Sequence, residues 1–441
     1  MYITMVIATL LTTVVGSQVT ESRVFPYPYR EVVLPNGLQV ILIPMPSQGL
    51  VSFYTIVRVG SRDEVEPGKS GFAHFFEHMM FRGTKRYPQN EYNRLMTRIG
   101  AKANAFTTDD LTAYHQTFAA EDLELVMELE SDRFQNLQYS VQAFQTEAGA
   151  VYGEYRKSVT QPFFLLFEKL KDTAYDRHTY KHTTMGFEAD IKAMPQAYQF
   201  SLEFFKRFYR PDNTALLIVG DIDPDATLKL IEKYYGNWQR GYAPWQVPVE
   251  PPQTAERTAE VAYPGKTLPI LAIAYKGDAF DPDNRDYVAA LLLEELAFGT
   301  ASPLYRKLII QEQKVEMLAA QVPINRDPPL YTILAMIKRE EDVSYVRDEI
   351  YRTLEQLQRH PPEEARLRDV KRRWRYSLLM ELDAPDKVAG SLARIIAVGG
   401  GMDALERLFA AVESVTVEDV SRAAARYFTP QRRTVVVLKG R

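Results

Sequence analysis

The chain has 441 residues, more than a single hydrophobic core serves well, so its length alone points to about two to four domains. Hydrophobic residues make up 46%, charged residues 25%, and the net charge is -4, a balance that holds no bulk electrostatic pull toward nucleic acid or an anionic membrane. The lack of cysteine removes disulfides, thiolate metal sites and a cysteine nucleophile, so any metal must be held by His, Asp or Glu.

In chain order, residues 3–16 form an apolar run that ends in Val15-Gly16-Ser17, small residues of the kind found at a signal-peptidase site. The run is short for a bilayer span, and the first basic residue comes only at Arg23. Residues 1–17 are therefore expected to be an export signal, which implies a periplasmic or otherwise exported protein; a cytoplasmic location is the alternative. No later stretch is long and apolar enough for a membrane helix. Residues 31–34 and 38–43 read as strands of a hairpin around Pro35-Asn36-Gly37. A further strand covers 50–59. Helical periodicity covers 72–81, 92–99, 122–137 and a long run from 141 onward, and strands recur at 103–106, 112–118 and 214–219. Strands and helices are mixed without a regular βαβ alternation, which predicts an α+β fold.

Residues 242–254 carry Pro244, Pro248, Pro251 and Pro252 and read as a linker between residues 22–241 and 255–441. The two halves echo each other. Residues 207–219 end a helix and enter a strand, and residues 426–438 do the same; Phe81-Arg-Gly-Thr84 is paired by Ala297-Phe-Gly-Thr300. This is duplication on the scale of a domain, far longer than the period of a solenoid repeat. The second echo sets Ala290, Leu293 and Glu294 opposite His74, Glu77 and His78, so the second copy keeps the helix without the histidines. The basic run Lys371-Arg372-Arg373 falls in a helical stretch and reads as a solvated face.

His74 and His78 are one helical turn apart on one face, the spacing two imidazoles need to hold one cation, and Glu77 borders that face. A catalytic zinc site takes three protein ligands and keeps one position open for water. Glu147 and Glu154 lie two turns apart on the run beginning at 141, and either could reach the histidines if the helices pack together. His115, His178 and His182 are the rival third ligands. In such a site Glu77 is placed to take a proton from water and pass it to the leaving amine. A bare pair of histidines on an amphipathic helix also occurs as an ordinary polar face, and a closed structural metal site would need a fourth protein ligand.

The contiguous segment Gly71-Phe-Ala-His-Phe-Phe-Glu-His-Met-Met-Phe-Arg-Gly-Thr84 closely resembles the signature of the M16 (pitrilysin-like, inverted zincin) metallopeptidases. The resemblance runs from Leu34-Pro-Asn-Gly-Leu38 through Asn104-Ala105 and Tyr209-Arg-Pro-Asp-Asn213 to Gly220-Asp221. It implies one Zn2+ per chain, held by His74, His78 and Glu154, with Glu147 supporting the site from behind and Glu77 as general base. It implies that Asn104 and Ala105 lie on a strand that pairs with an extended peptide. The implied fold is two tandem homologous domains, each a mainly antiparallel sheet with helices packed on one face. The implied activity is that of a zinc-dependent endopeptidase acting on peptides or unfolded segments. The alternative is a peptide-binding or structural assembly subunit with little activity of its own.

One feature departs from the family pattern. Active members carry an Arg and a Tyr seven residues apart in the domain pair opposite the zinc, and here those positions are Ile309 and Glu316. The resemblance therefore implies a heterodimer, in which a homologous subunit supplies the Arg/Tyr pair. Gly399-Gly400-Gly401, the only glycine run, is expected to be a helix-ending loop, with a substrate loop as the alternative.

Overall fold

The computed structural model describes residues 25–441, and the export signal expected at 1–17 lies outside the described residues. The first sheet contains β1 (Arg30–Val33), β2 (Gln39–Pro44), β3 (Leu50–Val57), β4 (Lys102–Thr107), β5 (Thr112–Ala119) and β6 (Thr214–Gly220), in the order β1-β2-β6-β3-β5-β4. All neighbours are antiparallel except β2 and β6. Its helices are α1 (Phe72–Met79), α2 (Gln89–Arg98), α3 (Leu123–Asn136), α4 (Val141–Ser158), α5 (Pro162–Ala174), α6 (Glu188–Ala193), α7 (Tyr198–Phe208) and α8 (Pro224–Tyr235).

The second sheet contains β7 (Arg257–Ala262), β8 (Ile270–Lys276), β9 (Val315–Gln321), β10 (Leu330–Ile337) and β11 (Arg433–Lys439), in the order β7-β11-β8-β10-β9. Again one pair, β7 and β11, is parallel. Its helices are α9 (Arg285–Phe298), α10 (Pro303–Tyr305), α11 (Val343–Arg359), α12 (Glu364–Met380), α13 (Pro385–Gly399), α14 (Met402–Ser414) and α15 (Val417–Tyr427). Without β1, the first sheet has the strand order and directions of the second, so the duplication read from short sequence echoes is a duplication of topology.

Each sheet carries helices of its own half on one face. Its other face is covered by a helix of the opposite half. The strands show why: in β2, Val40 and Leu42 join the core under the first-half helices, while Ile41 and Ile43 point the other way and are equally buried. Leu392, Ala393 and Ile396 of α13 cover that second face. In return, Leu166, Leu170 and Ala174 of α5 cover Ile270, Ala272, Ala274, Val436 and Leu438 of the second sheet. Each of these leucines is almost completely buried, worth about 1.5–3 kcal/mol relative to exposure. Separating the halves would expose both apolar faces at once.

Residues 239–254 contain no helix or strand, as the prolines require. The segment is nevertheless pinned: the Glu250 carboxylate accepts from the backbone amides of Asp176, Arg177 and His178 and pairs with Lys276, which holds its carboxyl down at about 2 against the cost of burial. The glycine run ends α13. Gly400 takes φ +91° and its N–H closes the last turn onto the Ile396 carbonyl, a left-handed cap that favours glycine. Among the described residues, no helix is long and apolar enough to cross a membrane.

Candidate metal centre

Phe72, Phe75, Phe76 and Met79 recur at helical spacing on α1 and are buried. Phe75 packs edge-on against Phe144 of α4, ring centroids 5.0 Å apart, and Phe76 stacks on Phe204 of α7 at 5.3 Å. With that face committed to the core, His74, Glu77 and His78 share the opposite one. The helix starts at Gly71, whose φ is +92° and where an added Cβ would sit 2.6 Å from the Met185 carbonyl oxygen. Glycine has no side chain to cap the helix, and Glu64 does so instead. Its buried carboxylate accepts from the N–H groups of Gly71 and Ala73, each at 2.7 Å. Burial pushes the Glu64 carboxyl well above its ordinary range, and the two amides act against that.

Helix α4 crosses α1 with Phe144, Ala148, Val151 and Tyr155 buried, and Ser140 caps its N-terminus by accepting from the Ala143 N–H at 3.1 Å. Glu147 and Glu154 flank that apolar stripe two turns apart, and both reach the histidines of α1. Glu154 Oε2 lies 3.6 Å from His74 Nε2 and 3.4 Å from His78 Nε2. On a tetrahedron with metal–ligand bonds of about 2.0–2.1 Å, ligand atoms stand about 3.3–3.4 Å apart, so Glu154 Oε2 stands from each histidine nitrogen at close to the separation of two zinc ligands. Among the described residues these three form the one group of His, Asp or Glu with ligand atoms all within 4.8 Å of one another. Burial, with His78 beside it, lowers the His74 pKa to about 4, which favours the neutral imidazole a metal requires.

Glu147 bridges His78 and Arg82. Its Oε1 lies 2.9 Å from His78 Nδ1, which directs Nε2 of that ring toward Glu154, and its other oxygen accepts from the Arg82 guanidinium. Burial works against the charge of Glu147, but the bonds from His78 and Arg82 prevail and hold its carboxyl below the ordinary value. The bond to Glu147 raises His78, opposed by burial. Glu77 is half-buried beside this cluster. Its Oε2 accepts from the Thr107 hydroxyl at 2.6 Å, and burial raises its pKa while that bond and His78 moderate the rise.

The rival ligands are engaged elsewhere. His115 stacks on Tyr54 at 4.7 Å. His178 is buried with Nε2 2.9 Å from Asp327. His182 is buried with Nδ1 2.9 Å from the Thr183 carbonyl. Asn104 and Ala105 lie on β4, the outermost strand of the first sheet, with Asn104 exposed and Ala105 buried. In the second half, Ala290 and Leu293 are fully buried in α9, and Glu294 accepts from the Val322 N–H at 3.0 Å, with burial raising its pKa to about 7. Ile309 lies in a π-helical turn at Arg306–Gln311, and Glu316 lies on β9.

Three side chains of the site escape a reading of the sequence. Arg82 follows His78 by one helical turn, a spacing that offers a signal. Thr107 follows Asn104 on the same strand. Glu64 offers no local signal, because a chain reversal brings it to the helix.

The sequence profile of the domain described as insulinase (peptidase family M16) matches residues 39–188, and that of the peptidase M16 inactive domain matches residues 198–373. The zinc protease PqqE of Helicobacter pylori is 28% identical over 423 residues, 93% of each chain. The beta subunit of the mitochondrial-processing peptidase of Lentinula edodes is 24% identical over 417 residues, covering 91% of this chain and 88% of that one. The crystal structure of a protease from Helicobacter pylori superposes with a TM-score of 0.86 at 27% identity, covering 94% of this chain and all of that chain. A peptidase M16 inactive domain from Pseudomonas fluorescens shares the fold, with a TM-score of 0.81 at 16% identity over 93% of this chain and 98% of that one. With both halves matched and relatives aligned over nearly their full length, the chain belongs to the M16 peptidase family.

Proposed function

We propose that this chain is the zinc-bearing subunit of an endopeptidase that cleaves peptides or unfolded segments. The observation that carries this reading is the convergence of His74 Nε2, His78 Nε2 and Glu154 Oε2 beside Glu77, whose carboxylate forms no ion pair among the described residues. Residues 22–241 form the metal-bearing domain in this reading, and 255–441 its metal-free homologue. A zinc ion held by the three donors supplies Lewis acidity, which makes water nucleophilic near neutral pH and polarises a peptide carbonyl. The protein does the rest. Glu77 receives the water proton on its carboxylate and delivers it to the leaving amine, and Thr107 fixes the orientation of that carboxylate. Burial raises the Glu77 pKa above its ordinary value, the direction a general base needs. Asn104 and Ala105, on the outer strand, offer main-chain groups to an extended peptide, which gives affinity with little dependence on side chains.

Chelation tests this reading. Purified chain should carry about one zinc, lose peptidase activity on treatment with a strong chelator and regain it with Zn2+. A preparation that binds no zinc would leave the peptide-binding or assembly subunit as the better reading. Glu147→Gln should weaken zinc binding about 10–100-fold in a chelator competition, because His78 loses its anionic partner and Arg82 its carboxylate. Excess zinc should restore much of the activity of that variant, and an unchanged affinity would show that Glu147 does not support the metal ligands.

A further inference from the structure

A cavity of about 390 Å³ opens beside the general base, between the two halves of the chain. One wall is the end of β4, including Thr107, whose hydroxyl holds Glu77. The opposite wall comes from the second half: Gln321 at the end of β9, Asn325 in the β9–β10 loop, and Arg394 of α13. The loop is anchored on the first half. Asp327 pairs with Arg62 at 2.5 Å and His178 at 2.9 Å, and the Tyr175 hydroxyl donates to the Pro328 carbonyl at 3.1 Å. The cavity is thus formed before any ligand arrives, with a volume suited to a side chain or chain end.

Its charges are unbalanced. Lys171 is neutralised by Asp109, with Nζ 2.8 and 3.0 Å from the two carboxylate oxygens. Arg394 has no such partner. It is half-buried, its Nη1 donates to the Ile324 carbonyl at 3.4 Å, and no carboxylate pairs with it among the described residues. A half-buried guanidinium without an anion favours any carboxylate that enters, and its planar fork suits one well.

We propose that this cavity is a substrate subsite that receives a carboxylate of the peptide, with Arg394 as the residue that selects it. The inference rests on the peptidase reading for the nature of the ligand. The carboxylate comes from an acidic side chain or from the C-terminus of the peptide, both of which present the same group to the guanidinium.

The experiment measures binding without cleavage. Zinc-loaded Glu77→Gln chain is titrated with fluorescent peptides in which Glu replaces Gln at each position in turn, and with a parallel set ending in a free acid or an amide. One position, or the free acid, should bind at least about tenfold more tightly than its neutral counterpart. Arg394→Gln should abolish that ratio, Arg394→Lys should keep its direction at reduced size, and Arg394→Glu should invert it toward Lys-containing peptides. A chain with unaltered Arg394 that shows no carboxylate preference anywhere in the two sets overturns the proposal, as does an Arg394→Gln variant that keeps the ratio. Cleavage by the wild-type chain is scored separately. Selective binding without cleavage, even when a homologous subunit that carries the Arg and Tyr is added, would refute the peptidase reading and leave the subsite standing, and cleavage without selectivity would do the reverse.

Discussion

Glu77→Gln should leave zinc content at about one per chain and lower kcat/KM by about 10²–10⁴ or more, the range expected for loss of a positioned general base. The substitution is nearly isosteric. The amide oxygen can still accept from Thr107, so α1 and the histidine face should keep their geometry. What disappears is the capacity to hold a proton. The neighbouring carboxylates are poor substitutes: Glu154 is spaced as a ligand, and both oxygens of Glu147 are engaged by His78 and Arg82. Zinc analysis and steady-state kinetics on one preparation separate the two requirements. Full zinc with wild-type turnover would take Glu77 out of the mechanism. Loss of zinc together with loss of turnover would give it a structural role that its bond to Thr107 alone does not predict.

The sequence makes α1 legible because two periodicities coincide there. Phenylalanines at core spacing define the buried stripe, and the three chemical residues fall on the other side by arithmetic alone. Glu147 and Glu154 are legible as a register of two turns on one helix, though spacing does not say which of them meets the histidines. The structure places Glu154 against both Nε2 atoms and Glu147 against Nδ1. Side chains that reach the site through tertiary folding are silent in the sequence, Glu64 most of all, since no pattern of period 2 or 3.6 links it to the helix it caps.

The exchange of α5 and α13 between the halves is hidden for a related reason. The stripe of Leu166, Leu170 and Ala174 announces burial but not the surface that buries it, and the continuous burial of β2 equally demands a second cover without naming one. The exchange bears on the site. It fastens the second half against the first, and so places Arg394 and the β9–β10 loop beside Thr107 within a single chain.

Addition of a homologous subunit that carries the Arg and Tyr should raise peptidase activity of this chain by about 10²–10³ and saturate at one partner per chain. Among the described residues the candidate site brings together three possible metal donors and a candidate base, but the cationic and phenolic groups of this cluster are engaged and not free to meet the oxyanion of a tetrahedral intermediate. Arg82 is committed to Glu147, and the Tyr114 hydroxyl is 2.9 Å from the Phe76 carbonyl and 2.7 Å from the Tyr209 hydroxyl. If the resemblance sets Ile309 and Glu316 at the positions of the Arg/Tyr pair, a second copy of this chain should not supply that contact. A hydrophobic side chain donates no hydrogen bond, and a carboxylate would repel the developing negative charge. One lost donor of this kind costs about 3–4 kcal/mol at the transition state, so a homodimer should bind zinc and peptide yet turn over slowly. The partner should act mainly on kcat, since its contacts strengthen as charge develops on the carbonyl oxygen. The double substitution Ile309→Arg with Glu316→Tyr provides an independent check, because it should raise the activity of the chain in the absence of any other subunit. Full activity from a zinc-saturated homodimer of the unmodified chain would show that the site is complete as it stands and that the oxyanion is met by groups of this sequence alone.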